Sequence, residues 1–281
     1  GVLTVDGGTN KKSFGTTALH AKAAFLDASY TEKLPMHLAR NTAVDAFAHA
    51  LEGYLKPKNT PMGAVFAREV FRGFAECRGA LLCDSLDFET REKLLMNAMY
   101  AGIVIAQERT LGLHVASYPL TALYGVQHGL AVGLPMAAYV KLNYAEAKEK
   151  IDEILGILGL SSPEAFKGYI GDLLEDRNTY TLTDVERMTK VCLEGVMARD
   201  NPHKFTEEDV LNLYLESLNM DFRRYLAGTL ISPQSGFSMS RCRSAIEPVL
   251  ARAHISLVTA ASPVMSQPLI TPSRENLRPT S

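Results

Sequence analysis

The chain has 281 residues, 47 % apolar and 21 % charged, with a formal net charge of −2. This is the composition of an ordinary globular protein with room for one large core or two modest ones. It gives no electrostatic footprint for nucleic acid or an anionic membrane, and no apolar run nears the roughly 18–20 residues that span a bilayer. The four cysteines, Cys77, Cys83, Cys192 and Cys242, show no CxxC spacing and read as reduced thiols of a cytoplasmic protein. The chain opens on Gly1 with no signal peptide in view, which points to a fragment or a processed product.

The predicted elements begin with two short β-like runs, VLTV (2–5) and KAAFLD (22–27), around the turn-rich DGGTNKKS. They read as two strands of a sheet whose remainder lies outside this sequence. Pro35 then marks a helix start, and the pattern turns helical for almost two hundred residues. Helices are predicted at 36–56, at 61–82, where Pro61 opens the first turn, and at 87–107, where Asp87 and its acidic neighbours suit the helix dipole. Further helices follow at 128–142, 145–158, 163–175, 183–198 and 206–218. SSPEAF (161–166) and TEEDV (206–210) carry start signals, Thr206 being a cap with Asp209 three positions on. The expected fold class is mainly α: a bundle-like helical domain over 35–220 with a short residual β segment at 1–34. From Asp221 onward lysine disappears while serine, proline and arginine recur, so 221–281 reads as a tail that is poorly ordered or foreign to the domain.

Four potential metal ligands stand out. Asp45 and His49 lie four residues apart in NTAVDAFAHALEGY, so on a helix they share one face. His114 and His128 bracket HVASYPLTALYGVQH, fourteen residues apart, enough to end one helix, turn, and begin the next with an imidazole. Gly125 gives freedom to that turn, and His128-Gly129 opens the apolar run LAVGLPMAAYV. Each histidine alone is an ordinary core residue. Together they sit on apolar, Gly- and Ala-rich elements where an unpaired polar group is costly, and a shared cation removes that cost. One carboxylate and three imidazoles suit Fe(II) or Zn(II). His20, His37 and His203 stand near turns or helix ends and are expected to face solvent.

The pair DAFAHALE (45–52) and His114…His128-Gly129 resembles the DAxxHAxE and H-x13-H-G segments of the iron-containing (group III) alcohol dehydrogenases. FLDASYTEKLP (25–35) resembles the family's stretch between its last strands and first helix, and NPHKFTEEDV (201–210) its closing segment. The resemblance covers residues 1 to about 220. It implies the helical half of a dehydroquinate synthase-like architecture (α/β plus all-α), with Asp45, His49, His114 and His128 as ligands of Fe(II), Zn(II) being the other candidate. Two departures stand against the pattern. The Gly-rich pyrophosphate loop and Gly-Thr-Gly-Ser-Glu segment of the family's dinucleotide domain do not occur here. Tyr118 occupies a position where many members carry a further histidine, and Gln127 one where proline is common.

The implied activity is hydride transfer between a nicotinamide cofactor and a small alcohol or aldehyde, with the metal as Lewis acid on the substrate oxygen. NAD or NADP would be held by the absent domain, and the chain alone is expected to bind nicotinamide weakly or not at all. Tyr118, one turn beyond His114, is a candidate to orient substrate or relay a proton, against the simpler reading of a packed aromatic. The resemblance also implies a homo-oligomer for the parent enzyme, with no nucleic-acid or membrane partner. The alternatives are a catalytically incomplete metal-binding domain and a glycerol-dehydrogenase-like relative.

Overall fold

The computed structural model describes residues 21–220 and two short strands before them. Strands β1 (Val2–Thr4) and β2 (Lys11–Ser13) pair antiparallel, with Leu3 opposite Lys12. The second strand thus falls within the segment read as a turn. KAAFLD, expected as a strand, has no strand geometry and is exposed along its length, Phe25 almost completely. Among the described residues it pairs with no sheet edge, and such pairing is the requirement that local composition does not report. A single 3-10 turn, Ala28–Thr31, follows, capped by Asp27, whose carboxylate accepts the Ser29 N–H at 2.9 Å.

Nine helices make up the rest of the described chain: α1 (Met36–Leu55), α2 (Pro61–Leu82), α3 (Phe88–Glu108), α4 (Gly112–Tyr124), α5 (His128–Leu142), α6 (Lys148–Ile157), α7 (Pro163–Gly171), α8 (Leu182–Met197) and α9 (Glu207–Ser217). Most starts are written locally. Thr60, Asp87 and Ser162 accept N–H groups of the first turns of α2, α3 and α7, and Thr181 with Asp184 and Thr206 with Asp209 form capping boxes on α8 and α9. The fold is all-helical in its body, as expected; α6 starts later and α7 ends earlier than their apolar patterns suggest. The chain divides into units Gly1–Ala227 and Gly228–Ser281, and the tail expected at 221–281 lies outside the described residues.

Helix α1 is the centre of the domain and packs against α2, α3 and α5. Ala39, Ala43, Ala46, Ala48 and Ala50 are buried along it, and their small side chains let three helices approach from different sides. Larger residues fill the space between: Phe47 meets Phe74 at 4.8 Å and Phe71 at 5.2 Å between ring centroids, tilted as aromatic quadrupoles favour. Helices α4 and α5 pack against each other, with α8 on α4 and α9 on α5 and α8. None of the described helices is long and apolar enough to cross a membrane.

Candidate metal centre

Three helices bring the four predicted residues to one place. Asp45 and His49 come from the middle of α1, His114 from the first turn of α4, and His128 is the first residue of α5. One oxygen of Asp45, Oδ1, lies 3.4 Å from His114 Nε2, 3.6 Å from His128 Nε2 and 4.0 Å from His49 Nε2. Asp45, His114 and His128 form a group whose donor atoms all fall within 4.8 Å of one another. His49 lies beside that group, its ring stacked on His114 at 4.4 Å between centroids.

The approach of His128 to Asp45 depends on its neighbour. A Cβ built on Gly129 would lie 2.5 Å from the carbonyl carbon of Asn41, and closer still to the carbonyl oxygen, one turn before Asp45 on α1. Only glycine lets the two backbones come this near. The Asn41 amide also donates to the Gln127 side chain, tying the residue before His128 to the same turn of α1. Gly125, in the left-handed conformation (φ 66°), closes α4 and allows the chain to double back into α5.

Asp45 Oδ1 and His114 Nε2 face each other outside hydrogen-bonding geometry, and each is buried with no hydrogen-bond partner. Burial alone would raise the Asp45 carboxyl, but His114 and the charges of His49 and His128 hold it down at about 2. Burial, with His114 adding to it, lowers His49 to about 3, so its ring is neutral and has a free lone pair to offer. Burial also disfavours a charged His114; Glu52 and Asp45 outweigh it and raise that ring to about 9. A carboxylate and imidazole nitrogens gathered this closely are stabilised by a proton or a metal ion between them.

The residue sets also fit an ion geometrically. Donor atoms about 2.1 Å from a tetrahedral divalent ion lie about 3.4 Å from one another, close to the 3.4 Å and 3.6 Å observed here. Among the described residues, Cys192 and Cys77 are buried thiols, pushed up by burial to about 12 and about 11, and the metal-ligating group contains no cysteine. Access is one-sided. His128 is 40 % exposed, Asp45 23 % and His49 20 %, whereas His114 is only 4 % exposed.

Behind His114 stands a residue to which motif spacing assigns no role. Glu52, the last letter of DAFAHALE, is completely buried. Its Oε1 accepts the backbone N–H of Leu113 at 2.7 Å and of His114 at 3.2 Å, and its Oε2 pairs with His114 Nδ1. Asn201 supplies the neighbouring contact, its Oδ1 accepting the Gly112 N–H at 2.8 Å. The available signal for Glu52 was an acidic residue among apolar neighbours on a buried helix, which must have a partner.

Other candidates fall elsewhere. Tyr118 is buried in the core; burial raises its hydroxyl above the usual range, with Arg199 opposing and Glu52 adding. His37 is exposed as expected. His203, expected to face solvent, is instead partly buried, with Nδ1 3.0 Å from Glu146 and Nε2 3.1 Å from Asp209. The chain turns back there between α8 and α9, and two carboxylates draw the ring inward. His20 and His254 lie outside the described residues.

Helical body, two-motif centre and closing segment define one class of protein. Residues 39–218 match the profile of the Fe-containing alcohol dehydrogenase family, C-terminal, and the chain belongs to that family. Choline dehydrogenase of Bacillus subtilis (strain 168) is 25 % identical over 234 residues, which is 78 % of this chain and 58 % of that protein. NAD-dependent methanol dehydrogenase of Bacillus methanolicus is 26 % identical over 212 residues, 69 % of this chain and 55 % of that protein. Among solved structures, an iron-containing alcohol dehydrogenase from Thermotoga maritima superposes with a TM-score of 0.69 at 31 % identity, covering 78 % of this chain and 59 % of the other. The chain therefore spans well under two thirds of the length of these relatives.

Proposed function

We propose that this chain is the metal-holding part of an NAD(P)-dependent alcohol dehydrogenase or aldehyde reductase, with Asp45, His49, His114 and His128 as ligands of Fe(II) or Zn(II). The observation that carries the reading is the single carboxylate oxygen of Asp45 set 3.4–4.0 Å from three imidazole Nε2 atoms. A divalent ion held there would supply Lewis acidity toward a substrate carbonyl or hydroxyl oxygen, for a hydride transfer in which a nicotinamide would be the donor or acceptor. The protein's share is positional. Asp45 provides one negative charge, and three neutral imidazoles add none, so a divalent site keeps a net charge of about +1. Buried His114 closes the inner side while the more exposed His128 leaves the outer side to the substrate oxygen. Between iron and zinc the donor types do not choose; the names of the family and of the Thermotoga structure favour iron.

A small alcohol or aldehyde is the proposed substrate, in keeping with relatives named for choline, methanol and lactaldehyde. The test is metal content after anaerobic loading with Fe(II) or Zn(II) and removal of free ion. The wild-type chain should retain one ion, His114→Ala should lose it, and His203→Ala should keep it. Equal content in the two variants would refute the ligand assignment.

A further inference from the structure

Resting on that reading of the centre, we infer that Glu52 is a positioning residue for the metal site: it fixes which nitrogen of His114 is free to ligate. An ionised carboxylate only accepts hydrogen bonds. Because Glu52 Oε2 pairs with His114 Nδ1, that nitrogen keeps its proton when a metal binds, and the lone pair offered to the metal is that of Nε2, the atom 3.4 Å from Asp45 Oδ1. The carboxylate cannot swivel to relax this arrangement. Its other oxygen is held by the N–H groups of Leu113 and His114 at the start of α4, a helix whose own N-cap residue, Leu111, offers no side-chain acceptor. One buried group thus takes the place of the missing cap and sets the imidazole's tautomer. The same negative charge makes the ring a stronger donor toward a cation. Helix α1 therefore carries two proposed ligands, Asp45 and His49, and the clamp for a third, all within two turns.

Glu52→Gln separates these roles. The glutamine oxygen can still accept from Leu113 and His114, so the α4 start is kept. Its NH2 group, however, faces His114 Nδ1 and donates to it, which moves the ring proton to Nε2 and blocks ligation there. The experiment is zinc titration of the 281-residue chain by calorimetry, with circular dichroism as the fold control and long-range 1H–15N spectra of the histidine rings. Glu52→Gln should keep the helical spectrum and bind zinc about 10–100-fold more weakly. In the zinc-loaded wild type, the His114 ring should show a protonated Nδ1 and a ligated Nε2; this readout needs no variant and stands even if Glu52→Gln folds poorly. Zinc affinity within twofold of wild type in Glu52→Gln, or a His114 ring ligated through Nδ1, overturns the inference while leaving the metal centre intact. Zinc binding that His114→Ala leaves unchanged overturns the metal reading and this inference with it.

Discussion

Gly129→Ala tests whether the close contact of α1 and α5 is what builds the centre. The added methyl would sit 2.5 Å from the Asn41 carbonyl carbon and 3.1 Å from its Cα. Ordinary carbon contacts need about 3.5 Å, so α5 must move off α1 by on the order of 1 Å. The obstacle is backbone within a helix and cannot rotate away. Overpacking of this kind costs about 1–3 kcal/mol, of which the gain in helix propensity returns at most about 1 kcal/mol. His128 moves with α5, and metal sites tolerate ligand displacements of only about 0.2 Å, so zinc affinity should fall at least about tenfold, or ~1.4 kcal/mol. Thermal melts in chelator and calorimetric zinc titration measure the two effects separately. Gly102→Ala on α3, where an added Cβ meets nothing within 4 Å, is the control and should be neutral or slightly stabilising. Gly129→Ala with wild-type zinc affinity would refute the argument that this contact sets the His128–Asp45 distance.

Two further outcomes follow from the surroundings. Burial works against a charged His203, but its bonds to Glu146 and Asp209 prevail and raise its pKa above 6.5; a raised folded-state pKa stabilises below the unfolded value, and the contribution is lost as pH rises through the folded one. Compared in chelator, wild type should lose more stability than His203→Ala as pH rises above about 6.5, and parallel profiles would remove His203 from the account. Tyr118→Phe should leave zinc affinity unchanged and cost about 1 kcal/mol in a thermal melt, since the ring is core; a large loss of metal would place its hydroxyl in the centre instead.

The sequence made the centre legible because its four side chains fall on two motifs whose spacing a helix and a turn convert directly into proximity. Helices α2, α3, α7, α8 and α9 were legible for a second reason: Thr60, Asp87, Ser162, Thr181 and Thr206 write their starts into adjacent residues. Helix α4 has no such local start signal. Its first N–H groups are satisfied by Glu52 and Asn201, 60 or more residues away in either direction, it contains Pro119, and most of its residues are buried, which erases amphipathic periodicity. The partly buried position of His203 is hidden from the sequence for a related reason. Its partners Glu146 and Asp209 come from separate elements, and only the fold brings them to the two edges of one ring. The β2 strand shows the limit on the other side: Lys11–Ser13 pairs because β1 lies opposite, whatever its propensity.

X-ray absorption at the metal edge of the zinc-loaded chain addresses the central claim most directly. The account predicts a first shell of four nitrogen and oxygen atoms at about 2.0–2.2 Å, with the outer-shell pattern of three imidazoles, and no zinc edge above background in His114→Ala. A shell containing sulfur at about 2.3 Å, or one unchanged by His114→Ala, would contradict it.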